Sequence, residues 1–276
     1  MGTAPRNNPI TTKYYDPSHR RLVYFRRGAD SRYWDDHWGA KDDSRITAVA
    51  SNRFFVETTA RHLPAGSRVL DGGCGMADKV FALAAGGFDA WGADFAVETL
   101  SRARAVAPKL RVVAANVVAL PFRDGFFDGC WSIGVIEHSF DGFLPIATEI
   151  RRVLRPGGIL FLTFPAFSFI RRLKARMGRY DEWTPALEAD TTAFYQFALS
   201  PGPVAETFEG LGFTLVTSFP RGGMRGLKEE MPRAHGLVRL ITKAGGPLRR
   251  TLRDGIDRMV SPGVGHTQLL VMRREP

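Results

Sequence analysis

The sequence predicts an α/β fold: a seven-stranded, mostly parallel sheet with helices on both faces. Three observations predict it. From Ser67 onward, short β-branched or aromatic runs alternate with stretches of helical periodicity, as βαβ units do. A glycine-rich turn, VLDGGCGMADKV from Val69 to Val80, follows the first such run and opens a helix. With 276 residues, 44% of them hydrophobic, the chain is long enough to bury a substantial core.

The predicted strands are Arg68 to Asp71 (RVLD), Asp89 to Asp94 (DAWGAD), Arg111 to Asn116 (RVVAAN), Asp128 to Ile136 (DGCWSIGVI), Gly158 to Pro165 (GILFLTFP), Phe213 to Pro220 (FTLVTSFP) and Thr267 to Arg274 (TQLLVMRR). Helices fill most gaps. AVETLSRARAVA carries apolar residues at helical spacing, and FLPIATEIRRVLRPGG ends in a basic turn followed by Pro-Gly-Gly, a stop signal. Residues 1–60, 166–200 and 221–265 break the alternation. Each reads as an addition to the sheet domain, because none has the length for a core of its own.

Several classes are disfavoured by composition. The longest apolar stretch, Gly157 to Phe167, is well short of the roughly 18 residues a membrane span needs. The polar N-terminus, MGTAPRNNPITTKYY, lacks the apolar core of a secretory signal, so the cytoplasm is the expected compartment. Cys74 and Cys130 form no metal or disulfide pattern, and the six histidines show neither HxxH nor HExxH, so no metal site is expected. The net charge of +10 is uneven, with +7 falling in residues 221–276. Such a tail suits nucleic acid, an anionic membrane surface, an acidic substrate or plain solvation.

In the glycine turn, Gly73-Cys74-Gly75-Met76-Ala77-Asp78 places an acid where a dinucleotide-binding loop needs its third glycine, and Asp71 ends the strand before it. Two carboxylates there repel a pyrophosphate and suit a ligand carrying an ammonium or sulfonium. Asp94 closes the second strand, where an acid can accept from both ribose hydroxyls. Asn116 ends the third, where its amide can read an adenine edge or simply cap a turn.

VLDGGCGMA, GADFA, NVVALPF, FFDGCWSIGVIEH and RRVLRPGGILFLTFP together resemble, in order and spacing, the class I S-adenosylmethionine-dependent methyltransferases, and more narrowly the ubiquinone and menaquinone biosynthesis group. The resemblance implies a Rossmann-like sheet with its last strand antiparallel and helical cap insertions. It divides the chain into an N-terminal helical cap, 1–60, and a methyltransferase domain, 61–276, with acceptor lids at 166–200 and 221–265. S-adenosylmethionine is the implied cofactor and S-adenosylhomocysteine its product. Asp71, Gly73, Cys74 and Gly75 would line its methionine end, Asp94 would hold the ribose, and Phe95, Asn116 and Val117 would flank the adenine. Ser132 and Ile133 would border the methionyl group. Ala77 and Asn116 depart from the family pattern, which has glycine and more often aspartate there.

Methyl transfer needs alignment and, for a neutral oxygen acceptor, a base. The fourth strand delivers Glu137 and His138 to the carboxyl edge of the sheet, where ligands of such sheets bind. His138 is the candidate base or an organiser of its loop; Glu137 would orient the imidazole. With no Asn/Asp-Pro-Pro-Tyr/Phe motif after this strand, an oxygen or carbon acceptor is favoured over an amine. The expected reaction is O-methylation of a small-molecule acceptor, with a quinone-like or natural-product C-methylation, or RNA methylation, as alternatives. Aromatic residues Phe167, Phe169, Trp183, Phe194, Tyr195 and Phe197 interleave with cations in 166–200, and Leu248, Leu252, Ile256, Met259 and Val260 share one helical face beside Arg249, Arg250, Arg253 and Arg258. A basic, apolar-faced rim of this kind would receive a lipid-linked or anionic acceptor near an anionic membrane. No nucleic-acid partner is expected, and the acceptor's identity and the oligomeric state stay open.

Overall fold

The computed structural model describes residues 12–25, 31–184, 193–231, 236 and 247–276. The first element is a hairpin: β1 (Thr12–Asp16) and β2 (Arg21–Phe25) pair antiparallel, ahead of α1 (Ser31–Gly39) and α2 (Arg53–Ala60). The N-terminal cap is therefore part strand, where the sequence reading expected helix alone. Next come β3 (Arg68–Gly72), α3 (Asp78–Ala85), β4 (Asp89–Asp94), α4 (Val97–Val106), β5 (Arg111–Ala114), β6 (Phe127–Ile133), α5 (Leu144–Val153) and β7 (Leu154–Pro165). The predicted stop falls at Val153, and Pro156-Gly157-Gly158 already belongs to the opening of β7.

Beyond β7 lie α6 (Phe169–Arg176), β8 (Asp181–Glu182), β9 (Phe194–Ala198), α7 (Pro201–Glu209), β10 (Phe213–Arg221), α8 (Gly223–Glu230), α9 (Pro247–Val264) and β11 (Thr267–Arg274). Seven strands form the main sheet in the order β10-β11-β7-β6-β3-β4-β5. All neighbours are parallel except β11, which enters antiparallel between β7 and β10. Hence β10 runs parallel to β7 and ends at the same edge.

Alternation along these strands feeds two cores. Leu70, Cys130, Leu160 and Leu270 face one side, while Val69, Trp131, Phe161 and Leu269 face the other. Burial on both faces is why the central strands read as continuous apolar runs. Trp131 stacks on Phe161 at 4.5 Å, and its indole N–H donates to Thr59 Oγ1 at 2.9 Å, fastening α2 to the sheet. Each such side chain removed from water contributes roughly 1.5–3 kcal/mol.

A second sheet, β8-β1-β2-β9, is built from the hairpin and the 166–200 insertion. Val23, Trp183, Phe194 and Phe197 pack it into the main core, and an ionic cluster adds a second anchor. Glu230 on α8 is buried and accepts from Arg171 Nε at 3.0 Å, Lys174 Nζ at 2.7 Å, Tyr180 OH at 2.8 Å and Lys13 Nζ at 3.2 Å. Burial opposes its charge, but these donors outweigh it and hold the carboxyl well below the usual range.

Among the described residues no helix is long and apolar enough to cross a membrane. Of the predicted face on α9, Ile256 and Val260 are half-buried while Met259 is exposed. Leu248, Arg249, Arg250 and Leu252, like residues 185–192 and 232–246 apart from 236, lie outside what the structure describes in side-chain detail.

Candidate active site

The site begins where β3 ends. Asp71 is the penultimate residue of the strand, and the chain then turns through Gly73 (φ 81°) and Gly75 (φ 50°) into α3. A methyl built on Gly73 would sit 2.5 Å from Val135, and one on Gly75 2.6 Å from the Trp38 ring. Only glycine fits either place, by backbone and by space. Ala77, at the place where the resembled family has its last glycine, also adopts left-handed backbone, φ 57°.

Asp94, at the end of β4, binds the turn from the side. Its Oδ2 accepts the Gly75 amide at 2.8 Å and its Oδ1 the Ala96 amide at 2.9 Å. Burial raises its pKa, opposed by those two amides and by the Phe95 amide. Asp71 differs. It is buried with neither oxygen hydrogen-bonded, and desolvation pushes its pKa up to about 7. A carboxylate sealed without partners is costly, so the position suits a ligand that brings N–H donors and positive charge. The buried Ser132 hydroxyl is likewise without a hydrogen-bond partner.

A cavity of about 300 Å³ opens over this turn, bordered by Gly73, Asp94, Phe95, Asn116, Val117 and Ile133 and closed by Trp34 and Trp38 of α1. That size lies at the small end of ligand sites. Asn116 spends one lone pair on the Val118 amide at 3.1 Å, so it is a turn residue and a cavity residue at once. Two sequence expectations need correction. Cys74 is turned away: its amide donates to the Ala93 carbonyl, and its sulfur fills the space a Gly92 side chain would need. Asp78 is neutralised by Lys79 at 2.8 Å and held by Asn52 at 3.0 Å; of the acids at the turn Asp94 borders the cavity, while Asp71 lies buried beneath it and borders neither it nor the larger cavity beyond His138.

After β6, Gly134 (φ 69°) reverses the chain into a single helical turn, Ile136–His138. The adjacent Glu137 and His138 then part company. His138 Nδ1 bonds the Tyr195 carbonyl at 2.5 Å, and the ring sits between Trp34 and Tyr195. Since a carbonyl only accepts, Nδ1 carries the proton and Nε2 is left as an acceptor. Burial pushes the imidazole down to about 4, against the effect of the Tyr195 bond. Glu137 therefore does not orient His138. Its carboxyl is buried with Oε2 unbonded, and desolvation raises it to about 8.

Beyond His138 lies a second cavity of about 830 Å³. Trp34, Trp38, Ile133, Gly134 and His138 border both cavities, forming their common wall. The larger space adds Glu137, the unbonded Tyr24 hydroxyl and Arg221 at the end of β10. Arg221 has no hydrogen bond or ion pair to any described residue; its guanidinium lies 3.1 Å over the Phe54 ring centre, and burial lowers its pKa to about 10, still charged at neutrality. A third cavity, of about 980 Å³, sits at the amino ends of β4 and β5 beside Asp89 and Arg111, far from these groups along the strands. Among the described residues no group of three metal-ligating side chains forms.

Residues 70–162 match the family model "Methyltransferase domain". The 2-methyl-6-phytyl-1,4-hydroquinone methyltransferase of Synechocystis sp. is 33% identical over 46% of this chain and 44% of its own length. The malonyl-[acyl-carrier protein] O-methyltransferase of Erwinia pyrifoliae is 32% identical over 55% and 56%. The chain thus spans about half the length of these relatives. The 1,6-didemethyltoxoflavin-N1-methyltransferase of Burkholderia thailandensis, solved with S-adenosylhomocysteine bound, shares the fold with a TM-score of 0.53 at 16% identity, covering 96% of this chain and all of that one. The matched segment, about a third of the chain, holds the glycine turn, Asp71, Asp94 and the Glu-His turn, and over that segment the chain is similar to S-adenosylmethionine-dependent methyltransferases.

Proposed function

We propose that this chain transfers a methyl group from S-adenosylmethionine to an oxygen, hydroxyl or carboxyl, of a small-molecule acceptor. The observation that carries the reading is the shared wall: the cavity of about 300 Å³ over the glycine turn and a larger cavity beyond it meet at His138, whose Nε2 is available. Residues 61–276 are read as the catalytic unit, with 1–60, 166–200 and 221–265 as its cap and lids.

The residues fit the cofactor. Asp71 would receive its ammonium, Asp94 its ribose hydroxyls, and Phe95, Val117 and Asn116 its adenine, with Ser132 and Ile133 by the methionyl chain. When bound, the cofactor supplies an electrophilic methyl on a sulfonium. The chain's own work is alignment across the shared wall, exclusion of water by Trp34 and Trp38, and reception of the acceptor's proton at His138 Nε2. An imidazole near pKa 4 is a weak base, since each unit is about 1.4 kcal/mol of proton affinity. It therefore favours an acidic hydroxyl or an acceptor already ionised, such as a carboxylate, and Arg221 offers that acceptor a counter-charge. Carbon methylation of a quinone-like ring is the second reading, favoured by the Synechocystis relative's name.

Calorimetry with S-adenosylhomocysteine tests the foundation: saturable heat is expected, and its absence overturns the assignment. His138→Ala should keep that affinity and lower kcat about 100-fold or more; an unchanged kcat removes His138 from the chemistry.

A further inference from the structure

Away from both cavities, one face of the molecule joins a small cationic hollow to an apolar stripe. The sequence of α6, FIRRLKAR, runs on to Met177. Arg171 points inward and is buried, while Phe169, Leu173 and Met177 are 55%, 40% and 58% exposed. Their spacing of four sets them along one side of the helix. Arg172 and Arg176, also four apart, run beside them. Together with Arg20, Tyr15 and Phe167 they enclose a hollow of about 80 Å³, floored by the stacked Tyr15 and Phe167 rings.

None of the three arginines has an ion-pair partner among the described residues. Arg172's one side-chain bond is a long one, 3.4 Å, to the Phe167 carbonyl. Arg20 stands in left-handed backbone, φ 49°, at the hairpin turn, a conformation that costs a non-glycine residue roughly 1–2 kcal/mol. Its carbonyl is pinned there by the Ser200 hydroxyl at 2.6 Å. Asp16, in the same hairpin, is spent on Arg21 and His19, and no acid borders the hollow. Three unpaired cations around a space the size of one oxyanion, beside three exposed apolar side chains, match an interfacial helix that meets headgroups with its arginines and acyl chains with its stripe.

We propose that this face docks on an anionic phospholipid surface, with a headgroup phosphate seated among Arg20, Arg172 and Arg176 and with Phe169, Leu173 and Met177 entering the acyl boundary. The net charge of +10 draws the whole chain toward such a surface. The docking stands independently of methyl transfer.

Co-sedimentation of the full chain with phosphatidylcholine vesicles, with and without phosphatidylglycerol, is the test. Binding to the anionic vesicles is expected to exceed binding to neutral ones by about tenfold or more at low salt. Arg172→Gln with Arg176→Gln, and separately Phe169→Ser with Leu173→Ser, should each lower it at least about tenfold, with melting temperature unchanged. No binding to anionic vesicles, or wild-type binding by either double variant, overturns the proposal. Tighter binding of a single-stranded oligonucleotide than of vesicles, lost in the arginine variant, also overturns it and assigns the face to nucleic acid.

Discussion

Asp71 is the residue whose behaviour should report most directly on the site. In the free protein its proton is held to about pH 7 by burial. A ligand ammonium needs the ionised form, so affinity for S-adenosylhomocysteine should fall about tenfold per unit as pH drops below 7 and level off above it. Asp71→Asn should bind weakly with no such slope; a wild-type slope in that variant would place the titrating group elsewhere. The sign for stability is opposite to that of a paired carboxylate. Between the ordinary aspartate value of 3.8 and about 7 the folded state holds a proton that the unfolded state has released, so the ligand-free protein loses stability as pH rises through that window. The acids of the glycine turn were legible because residue type and position before a helix already state the charge. That Asp78 is spent on Lys79 and Asn52 was not, since Asn52 is 26 residues away. Glu137 and His138 are adjacent in sequence, yet one turn sends the imidazole to Tyr195, 57 residues on. No local pattern announces such a partner.

At the level of elements, α1 is the lid of the smaller cavity, and its contact with the glycine turn is tight enough to test. Gly75→Ala would place a methyl 2.6 Å from Trp38. Overpacking of that kind costs about 1–3 kcal/mol, with left-handed backbone strain added. The variant should lose roughly tenfold or more in S-adenosylhomocysteine affinity, since 1.4 kcal/mol is a factor of ten, and calorimetry reads it. Adding Trp38→Ala should return the steric share of that loss but not the backbone share; no recovery would mean that α1 does not press on the turn. The strands of the main sheet were legible from their apolar runs, with ends displaced by a few residues. The hairpin was not. KYYD and RLVYF alternate weakly, and β2 finds its outer partner in β9, with Leu22 facing Ala198. A strand that owes its existence to a partner so distant carries little signal of its own.

For the whole molecule, the decisive join is between the two sheets. Glu230 gathers Lys13 from β1, Arg171 and Lys174 from α6 and Tyr180 from the turn that follows it, so it couples the hairpin and α6 to α8 beside the main sheet. Removing one partner of a buried pair leaves the other uncompensated, which costs about 3–5 kcal/mol. Glu230→Gln should lower Tm by roughly 6–12 °C or more in a chain of this size, measured by calorimetric scanning; a shift under a degree would show the cap is held by packing alone. Composition announced the cations but not this meeting point, because its members are spread from residue 13 to residue 230. One further consequence follows from β11, which sits inside the sheet although it is the last of the seven strands to be synthesised. Until residue 274 clears the ribosome, β7 and β10 present bare edges to whatever is nearby. A stalled or clipped nascent chain should therefore be a client for chaperones, and a faulty one a seed for aggregation.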